Sequence, residues 1–482
     1  MSNTPNSGKS LNAVVILAAG MGTRMKSDQP KVLHSVLGLS LIEHVLAAVA
    51  PLEAQNTVAV VGHGRTLVET KIQNSHPTVI SAFQEQQNGT GHALAVALEA
   101  LPDLDSGLVL VLAADTPLLT TQVLSSLIDV SQDAAAAVLT AELFDPTGYG
   151  RIIRNLSGDL DQIVEQADAT EEQRNVSEVN SGVYVFDGAL IREALARVGN
   201  TNAQGEQYLT DVIEILRGDG HTVRAVVTSE ENILGVNDRR QLAQAGQVLR
   251  ARIVEQWMLD GVTMIDPNSV WIDSSVTLHP DVTLLQNVQL TGTTVVHSGA
   301  VVGPDCSLHD TVVEKCAKVV RTVADSAHIG EEASVGPFTY LRPGTILGKK
   351  AKAGGFVEMK NAVLGEGAKV PHLSYVGDAE IGEGSNIGAA TIFVNYDGEN
   401  KHRTTIGKHT RIGSDTMLIA PVTVGDGAYT AAGSVITEDV PAGAIGVGRS
   451  RQRNILDWVL RRRPGTNSAQ AAVADSSMTN TK

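Results

Sequence analysis

The residues from Leu17 to Leu33, LAAGMGTRMKSDQPKVL, are of the types that bind phosphate. Val14-Val15-Ile16-Leu17 is a short aliphatic run that reads as a strand buried on both faces. Ala18-Ala19-Gly20-Met21-Gly22 then removes most side-chain bulk, so a ligand can lie on the main chain and the loop amides can form an anion nest. Arg24 adds a planar fork of donors and Lys31 a compact charge, the latter presented by the turn that Pro30 fixes. Together they suit a triphosphate. The pattern lacks the Gly-Lys-Ser/Thr end of a Walker loop and the third glycine of the dinucleotide fingerprint. Its plainer alternative is an ordinary strand-to-helix turn.

Further along, LVLVLAAD runs apolar into Asp115. A carboxylate leaving a buried strand beside a phosphate loop is where magnesium would be held, although Asp115-Thr116-Pro117 could equally open a helix with Asp as its cap. In the second half, GPFTYLRPG carries Arg342, GGFVEMKNA carries Lys360 and VPHLSYVGD carries His372 and Tyr375. Two cations can grip one phosphate, and an imidazole, with its ordinary pKa near about 6.5, can take a proton at neutral pH. A lone histidine is more often structural.

The surrounding elements are read from periodicity. From Leu41 to about Arg240 helical and strand patterns alternate: Leu41 to Ala50 helical, Thr57 to Val61 strand, His92 to Ala100 helical, Leu108 to Ala113 strand. This βαβ order predicts a mostly parallel sheet with ligands gathered beyond the carboxyl ends of its strands, where Asp115 falls. DRRQLAQAGQVLRARIVEQWML, from Asp238, places Leu242, Leu249, Ile253 and Trp257 at helical steps and reads as a connecting helix, too short for a coiled-coil seam. After it the period becomes six. Val270, Val276, Val282, Val288, Thr294, Ala300, Cys306 and Val312 share one phase, followed by Ile329, Val335, Leu341 and Leu347, by Ile381 and Ile387, and by Ile406, Ile412, Leu418 and Val424. That is the signature of a hexapeptide-repeat β-helix of about ten coils. Between Phe393 and Ile406 the phase breaks, so a loop holding VNYDGENKHR must leave the coil.

The chain has 482 residues, which predicts two or three domains. The expected boundaries are 1–237 for an α/β domain, 238–262 for a helical linker, 263–455 for the β-helix and 456–482 for a disordered tail rich in Ser, Ala, Thr and Asn. A formal charge of −16 argues against a nucleic-acid or anionic-membrane surface. The apolar run Ala13 to Ala19 is too short to span a membrane, and no longer one occurs. Two cysteines, Cys306 and Cys316, make neither a disulfide framework nor a zinc site and suit a reducing compartment. A cytoplasmic location is therefore expected.

With Thr23, Arg24 and the Pro30-Lys31 pair at these spacings, the glycine loop resembles the signature of sugar-nucleotide nucleotidyltransferases, with a Rossmann-like N-terminal domain. QEQQNGTGHA, PTGYGRI with IVEQADA, and EVNSGVYVF resemble uridylyltransferases acting on N-acetylglucosamine-1-phosphate. The stretches around Arg342, Lys360 and His372 resemble hexapeptide glucosamine-1-phosphate N-acetyltransferases. The chain as a whole is thus similar to the bifunctional family that acetylates glucosamine-1-phosphate from acetyl-CoA. The same family then joins the product to UTP's uridylyl group, supplying peptidoglycan and lipopolysaccharide-type pathways.

The resemblance implies a left-handed coil, a homotrimer, magnesium, and small-molecule substrates without nucleic acid or membrane. In the uridylyl site it implies Leu17, Ala18, Ala19, Gly20, Arg24 and Lys31 around the phosphates, Asp115 and Asn237 as metal ligands, Gln84, Gly89 and Thr90 at the uracil, and Gly150, Glu165 and Asn180 at the sugar. In the acetyl site it implies His372 as general base, Arg342 and Lys360 on phosphate, and Tyr375 and Asn386 on the sugar. Ala389, Asn395, Tyr396, Ser414, Ala432 and Arg449 are implied at acetyl-CoA. Two other readings are a regulatory subunit that has lost catalysis and a nucleotidyltransferase for another sugar; retention of Lys31, Asp115, Asn237 and His372 speaks against the first.

Overall fold

The aliphatic run ahead of the glycine loop becomes the strand Leu11–Ala18, in the interior of a sheet in which almost every residue of the run is buried. The computed structural model describes residues 8–101 and 106–479. By its internal contacts the chain divides into two units, 1–310 and 311–482.

In the first unit the sheet runs, in spatial order, Val223–Thr228, Ala136–Glu142, Glu178–Asp187, Leu108–Ala113, Leu11–Ala18, Asn56–Val61, Ile80–Phe83. Neighbours are parallel except Glu178–Asp187, which is antiparallel to both of its own. A side hairpin, Arg151–Arg154 with Leu160–Val164, is attached to it through Val179 opposite Arg151. Helices cover both faces, because strands buried on both sides need two apolar partners. Thr90–Glu99, Gly188–Ala196 and Asp211–Gly218 pack on one face. Leu41–Val49, Arg65–Ser75 and Thr121–Val130 pack on the other. Leu17 pairs with Ala113, so the glycine loop and Asp115 leave the same sheet edge side by side.

The predicted connecting element is the helix Arg239–Leu259, capped by the Asp238 carboxylate, which accepts from the amides of Arg240 and Gln241. Leu242, Leu249 and Ile253 rest on a small cluster of Val36, Leu37, Leu41, Leu118, Val236 and Ala245. It is a helix packed on its own domain, as its short apolar stripe requires.

The period of six becomes two-residue strands stacked in parallel, the hexapeptide coil of a left-handed β-helix. In the first unit Trp271 lies opposite Gln289 and Thr283 opposite Val301. Val270, Val276, Val282, Val288, Thr294, Ala300 and Cys306 are all buried. Thr294 fits the apolar bore because its hydroxyl donates to the Thr291 carbonyl; in the second unit Thr345, Thr391 and Thr416 repeat that bond with Arg342, Gly388 and Gly413. Val312 does not belong to this phase. It is only half-buried, while Thr311 and Val313 point inward, so one residue has dropped out of the repeat at the corner after Cys306.

The second unit carries the remaining coils, with Val335, Leu341, Leu347, Ile381, Ile387, Ile406, Ile412, Leu418 and Val424 buried as expected. Its corners sit in the left-handed region even without glycine, as at Phe338, Phe356, Leu373 and Asp378. Ile392–Val394 and Thr404–Ile406 flank the expected loop, which folds back on itself through an antiparallel bridge between Tyr396 and Lys401. The tail departs from the disorder its composition predicts. Trp458–Arg462 and Asn467–Thr479 are helical, the latter through alanines that favour helix. Residues 480–482 of that tail lie outside the described residues.

Candidate active sites

In the first unit the strand ends and the glycine loop surround a cavity of about 310 Å³. Its lining includes Leu17, Ala18, Ala19, Gly20, Lys31, Gln84, Gly89 and Thr90, positions expected at the nucleotide, and Asp115, expected as a metal ligand. Two glycines are dictated by close approach. A Cβ on Gly22, at φ +61°, would stand 2.5 Å from the Lys31 Cβ, and one on Gly89, at φ +107°, 2.5 Å from the Gln207 carbonyl oxygen. Gln84 is buried, and its Nε2 donates to the Gly89 carbonyl at 3.2 Å. Thr90 Oγ1 accepts from the Leu209 amide at 3.0 Å. Gln87, which sequence reasoning passed over inside QEQQNGTG, donates to the Ala19 carbonyl at 2.6 Å and so fixes the loop from across the cavity.

Lys31 is held where the expected metal ligands converge. Its ammonium is ion-paired with Asp115 and donates to Asn237 Oδ1 at 3.0 Å. The Val236 amide donates to the Asp115 carbonyl at 2.8 Å, tying the two ligand segments together. Asp115 caps no helix; the following one, Thr121–Val130, is capped by Thr120. A carboxylate and a carboxamide oxygen are hard donors of the kind magnesium accepts. Among the described residues no group of three or more His, Cys, Asp or Glu could hold a metal by itself. The donor set therefore fits an ion that takes its other ligands from phosphate and water, as magnesium usually does. A second cavity, of about 240 Å³, lies on the other side of Asp115 and is lined by Arg24, Tyr149, Ser181, Asn237 and Gln241 among others.

The sugar-end residues also meet. The Asn180 amide donates to the Gly150 carbonyl at 2.9 Å, and a Cβ on Gly150 would touch the Glu165 carboxylate at 3.4 Å. Burial pushes the Glu165 carboxyl above the usual carboxylate range, with Asp211 and Asp168 adding to it and a bond from Thr210 opposing. Tyr184, inside EVNSGVYVF, is buried; its hydroxyl accepts from Asn180 Nδ2 at 2.7 Å and its ring stacks on Phe186. Burial, then the neighbouring Glu165, raises its phenol.

In the second unit the cations gather around Asp378. Asn361 Nδ2 donates to Asp378 Oδ1 at 2.7 Å and Asn395 Nδ2 to Oδ2 at 2.5 Å. Lys360 is held below the usual lysine range, first by its neighbour Lys401. Lys401 comes from the ejected loop and went unnoticed there, because an irregular polar loop gives no clue to which coil its side chains reach. Arg342 is paired with Glu358 at 2.9 Å. Tyr375 and Asn395 crowd over Gly377, whose Cβ would stand 2.5 Å from the tyrosine hydroxyl.

His372 is exposed, and its ring makes no hydrogen bond to Arg342, Lys360 or Tyr375. Its carbonyl accepts from the Ala390 amide at 3.3 Å, which sets the histidine one coil below Ala389. Asn386 pairs with Lys369 and Arg411 on the adjoining coils. Ala389, Ser414 and Ala432 follow on successive coils, with Arg449 beside Gly433. Asn395 and Tyr396 differ in kind. Asn395 is buried and spent on Asp378, whereas Tyr396 is exposed in the loop.

Two domain families match this chain: the MobA-like NTP transferase domain over residues 14–179 and the bacterial transferase hexapeptide over residues 403–438. Proteins described as bifunctional protein GlmU are similar over nearly the whole length. That of Streptomyces coelicolor is 55% identical over 468 residues, covering 96% of this chain and 97% of the relative. That of Corynebacterium glutamicum strain R is 54% identical, covering 97% and 98%, and that of Mycolicibacterium vanbaalenii 56%, covering 95% and 94%. The chain belongs to the GlmU family. A GlmU chain is a bifunctional transferase of UDP-N-acetylglucosamine synthesis, with uridylyltransferase and acetyltransferase activities. No helix among the described residues is long and apolar enough to cross a membrane.

Proposed function

We propose that the first unit transfers the uridylyl group of UTP to N-acetylglucosamine-1-phosphate and that the β-helix unit first makes that acceptor from glucosamine-1-phosphate and acetyl-CoA. The observation that carries the first half is Lys31 bridging Asp115 and Asn237 at the mouth of the glycine-loop cavity. Magnesium, held by the Asp115 carboxylate and the Asn237 carboxamide oxygen, would offset the repulsion between the sugar phosphate and the nucleotide. Lys31 and Arg24 draw charge toward the α- and β-phosphates, the loop amides near Gly20 orient them, and Gln84, Gly89 and Thr90 seat the base. Gly150, Glu165 and Asn180 hold the sugar so that its phosphate oxygen faces the α-phosphorus in line. The P–O bond to pyrophosphate breaks as the new one forms, and no protein nucleophile is required.

In the second unit Arg342, Lys360 and Lys401 take the sugar phosphate, with Tyr375 and Asn386 on the sugar. The amine nitrogen attacks the thioester carbon, His372 removes its proton, and the C–S bond breaks to release coenzyme A, which recovers a proton as it leaves. The Ala389 amide, which makes no hydrogen bond among the described residues, is available to the oxyanion. Ser414, Ala432 and Arg449 line the coenzyme, with Asn395 anchoring the loop that presents Tyr396. A trimer is supported by the exposed apolar corner Phe338, Phe356 and Leu373, at 54%, 62% and 59% exposure, which leads up to His372. A reducing, cytoplasmic setting accords with Cys306 and Cys316, which form no disulfide.

The test is to assay both reactions on each of two variants. Asp115→Ala should cut uridylyl transfer about 100-fold or more and spare acetyl transfer, and His372→Ala should slow acetyl transfer by roughly 100- to 10,000-fold and spare uridylyl transfer. A folded His372→Ala protein with full acetyl transfer rules out the assigned base. Sedimentation tests the trimer, which an acetyl-transferring monomer would contradict.

A further inference from the structure

We propose that Arg252, on the linking helix, is a positioning residue of the uridylyl-transfer site, fastening together the two segments that carry Asp115 and Asn237. The inference rests on the reading of those two residues as metal ligands. A helix that served only as an arm would turn its polar side chains to solvent. This one spends three of them on the loops of the site. Arg239 Nε donates to the Met25 carbonyl at 3.2 Å, next to Arg24, and Gln241 Oε1 accepts from the amide of Asn237 itself at 2.8 Å. Arg252 Nη1 donates to the Leu118 carbonyl at 2.7 Å and Nη2 to Asn232 Oδ1 at 2.9 Å.

The two acceptors of Arg252 decide its role. Leu118 lies on the turn that leaves Asp115, and Asn232 lies on the segment that ends in Asn237. Those segments touch directly through one main-chain bond, from the Val236 amide to the Asp115 carbonyl, and through the side-chain contact of Leu118 with Val236 in the small cluster that the helix supports. One main-chain bond leaves rotation about it; a second fastening at a distance removes that freedom. The guanidinium supplies it, because its planar fork reaches two acceptors at once, which an ammonium on a flexible stem does not do in a fixed geometry. Asn232 is oriented for this by donating its own Nδ2 to Thr228 Oγ1 at 2.8 Å. Both principal acceptors are neutral, and the nearest carboxylate, Glu231, stands at 3.7 Å. What Arg252 contributes is therefore geometry more than charge. Unlike Gln241, it does not line the cavity beside Asp115 and touches neither proposed ligand.

Loss of a group that orients metal ligands typically weakens metal affinity by about 10- to 100-fold. The experiment titrates Mn²⁺ into the full-length protein saturated with UDP-N-acetylglucosamine and follows the free ion by electron paramagnetic resonance, for Arg252→Met, Arg252→Lys, Asn232→Ala and the Arg252→Met/Asn232→Ala pair. Expected are a roughly 10- to 100-fold weaker Mn²⁺ affinity for Arg252→Met, an intermediate loss for Arg252→Lys and Asn232→Ala, and a double variant no worse than Arg252→Met, since both ends belong to one fastening. Acetyl transfer and melting temperature should stay at the parent values. Asp115→Ala is the control. If it abolishes Mn²⁺ binding while Arg252→Met stays within about twofold of the parent, the positioning role is wrong; if Asp115→Ala itself leaves binding intact, the ligand reading has failed. Should Arg252→Met not fold, Arg252→Lys and Asn232→Ala decide by the same criterion.

Discussion

Replacing Asp378 tests whether one carboxylate organises the acetyl-transfer cluster. It sits at a left-handed corner, φ +49°, with 9% exposure. Burial alone would push its carboxyl above the usual range, but the bonds from Asn361 and Asn395 and the charges of Lys360 and Lys401 outweigh that and hold it below. A carboxyl so depressed stabilises the fold above its ordinary pKa of about 3.9, and that contribution is lost as pH falls through the lower folded value. Its two donors are not equivalent. Asn395 is buried, so without its acceptor the carboxamide stays dry and unpaired, whereas Asn361 is exposed and water can replace the carboxylate. A hydrogen bond to a charged group is worth about 1.5–3 kcal/mol, so Asp378→Ala should cost the second unit about 2–3 kcal/mol, nearly all of it through Asn395. Asp378→Asn keeps the volume but turns an NH₂ toward one of the two donors and removes the charge between the lysines. Because the Asn395 carbonyl accepts from the His402 amide at 2.8 Å, the same change also loosens the root of the loop that carries Lys401.

The expected outcome for Asp378→Asn is a KM for glucosamine-1-phosphate raised about tenfold or more, an unchanged rate of pyrophosphate release from UTP, and a midpoint of denaturant unfolding lowered for the β-helix only. Thiol release from acetyl-CoA, coupled pyrophosphate detection and urea titration followed by near-UV dichroism measure the three. A folded Asp378→Asn protein with the parent's KM and with stability within about 0.5 kcal/mol would refute the account, because the lysines would then be held together by something other than this carboxylate.

Two further expectations concern protons. Glu165, with its carboxyl pushed up by burial, pays for its ionised form at neutral pH, so Glu165→Gln should raise stability by roughly 0.5–2 kcal/mol near pH 7, with the difference shrinking as pH falls through the raised value, while KM for N-acetylglucosamine-1-phosphate increases. Calorimetry across pH checks this, and a destabilised variant would contradict it. Asp397 accepts from the amides of Asn400 at 2.6 Å and Glu399 at 2.8 Å and bonds His402 at 2.7 Å; the Asn400 amide first, then His402 and Glu399, hold its carboxyl well below the ordinary range. The order it gives the loop is present above the ordinary carboxylate pKa and should persist down to about pH 4; loss of the loop's amide shifts near pH 5 in a nuclear magnetic resonance titration would show that some other group holds it.

What could be read from the chain alone was whatever depends on periodicity or on one local segment. The strand Leu11–Ala18 and the glycine loop are local, and the exit of Asp115 beside them follows from the parallel order of the sheet, which alternating helix and strand patterns already imply. The period of six reports directly on burial, so Cys306 and the later valines and isoleucines fell inside the coil. It failed at Val312, because dropping one residue at a corner leaves composition and spacing almost unaltered while moving the side chain off the bore. It also said nothing of the tail, where alanine builds a helix without any apolar stripe to announce it.

The residues that stayed hidden share a different property: each acts through a group that periodicity does not place beside it. Gln87 holds the Ala19 carbonyl, Tyr184 the Asn180 carboxamide, Arg252 the Leu118 carbonyl, and Lys401 lies against Lys360 only because the loop folds back over the coil. A periodic pattern assigns a side chain to a face and cannot name the carbonyl it meets there. For the same reason the two sites differ in legibility. The proposed uridylyl site is assembled at one edge of a sheet from segments whose order the sheet fixes, so Lys31 and Asp115 meet there, and Asn237, to which only the family resemblance pointed, joins them. The proposed acetyl-transfer cluster depends on which residue of one coil lies over which residue of the next, and there a shift of one position, of the kind seen at Val312, decides whether a lysine joins the cluster or faces the solvent.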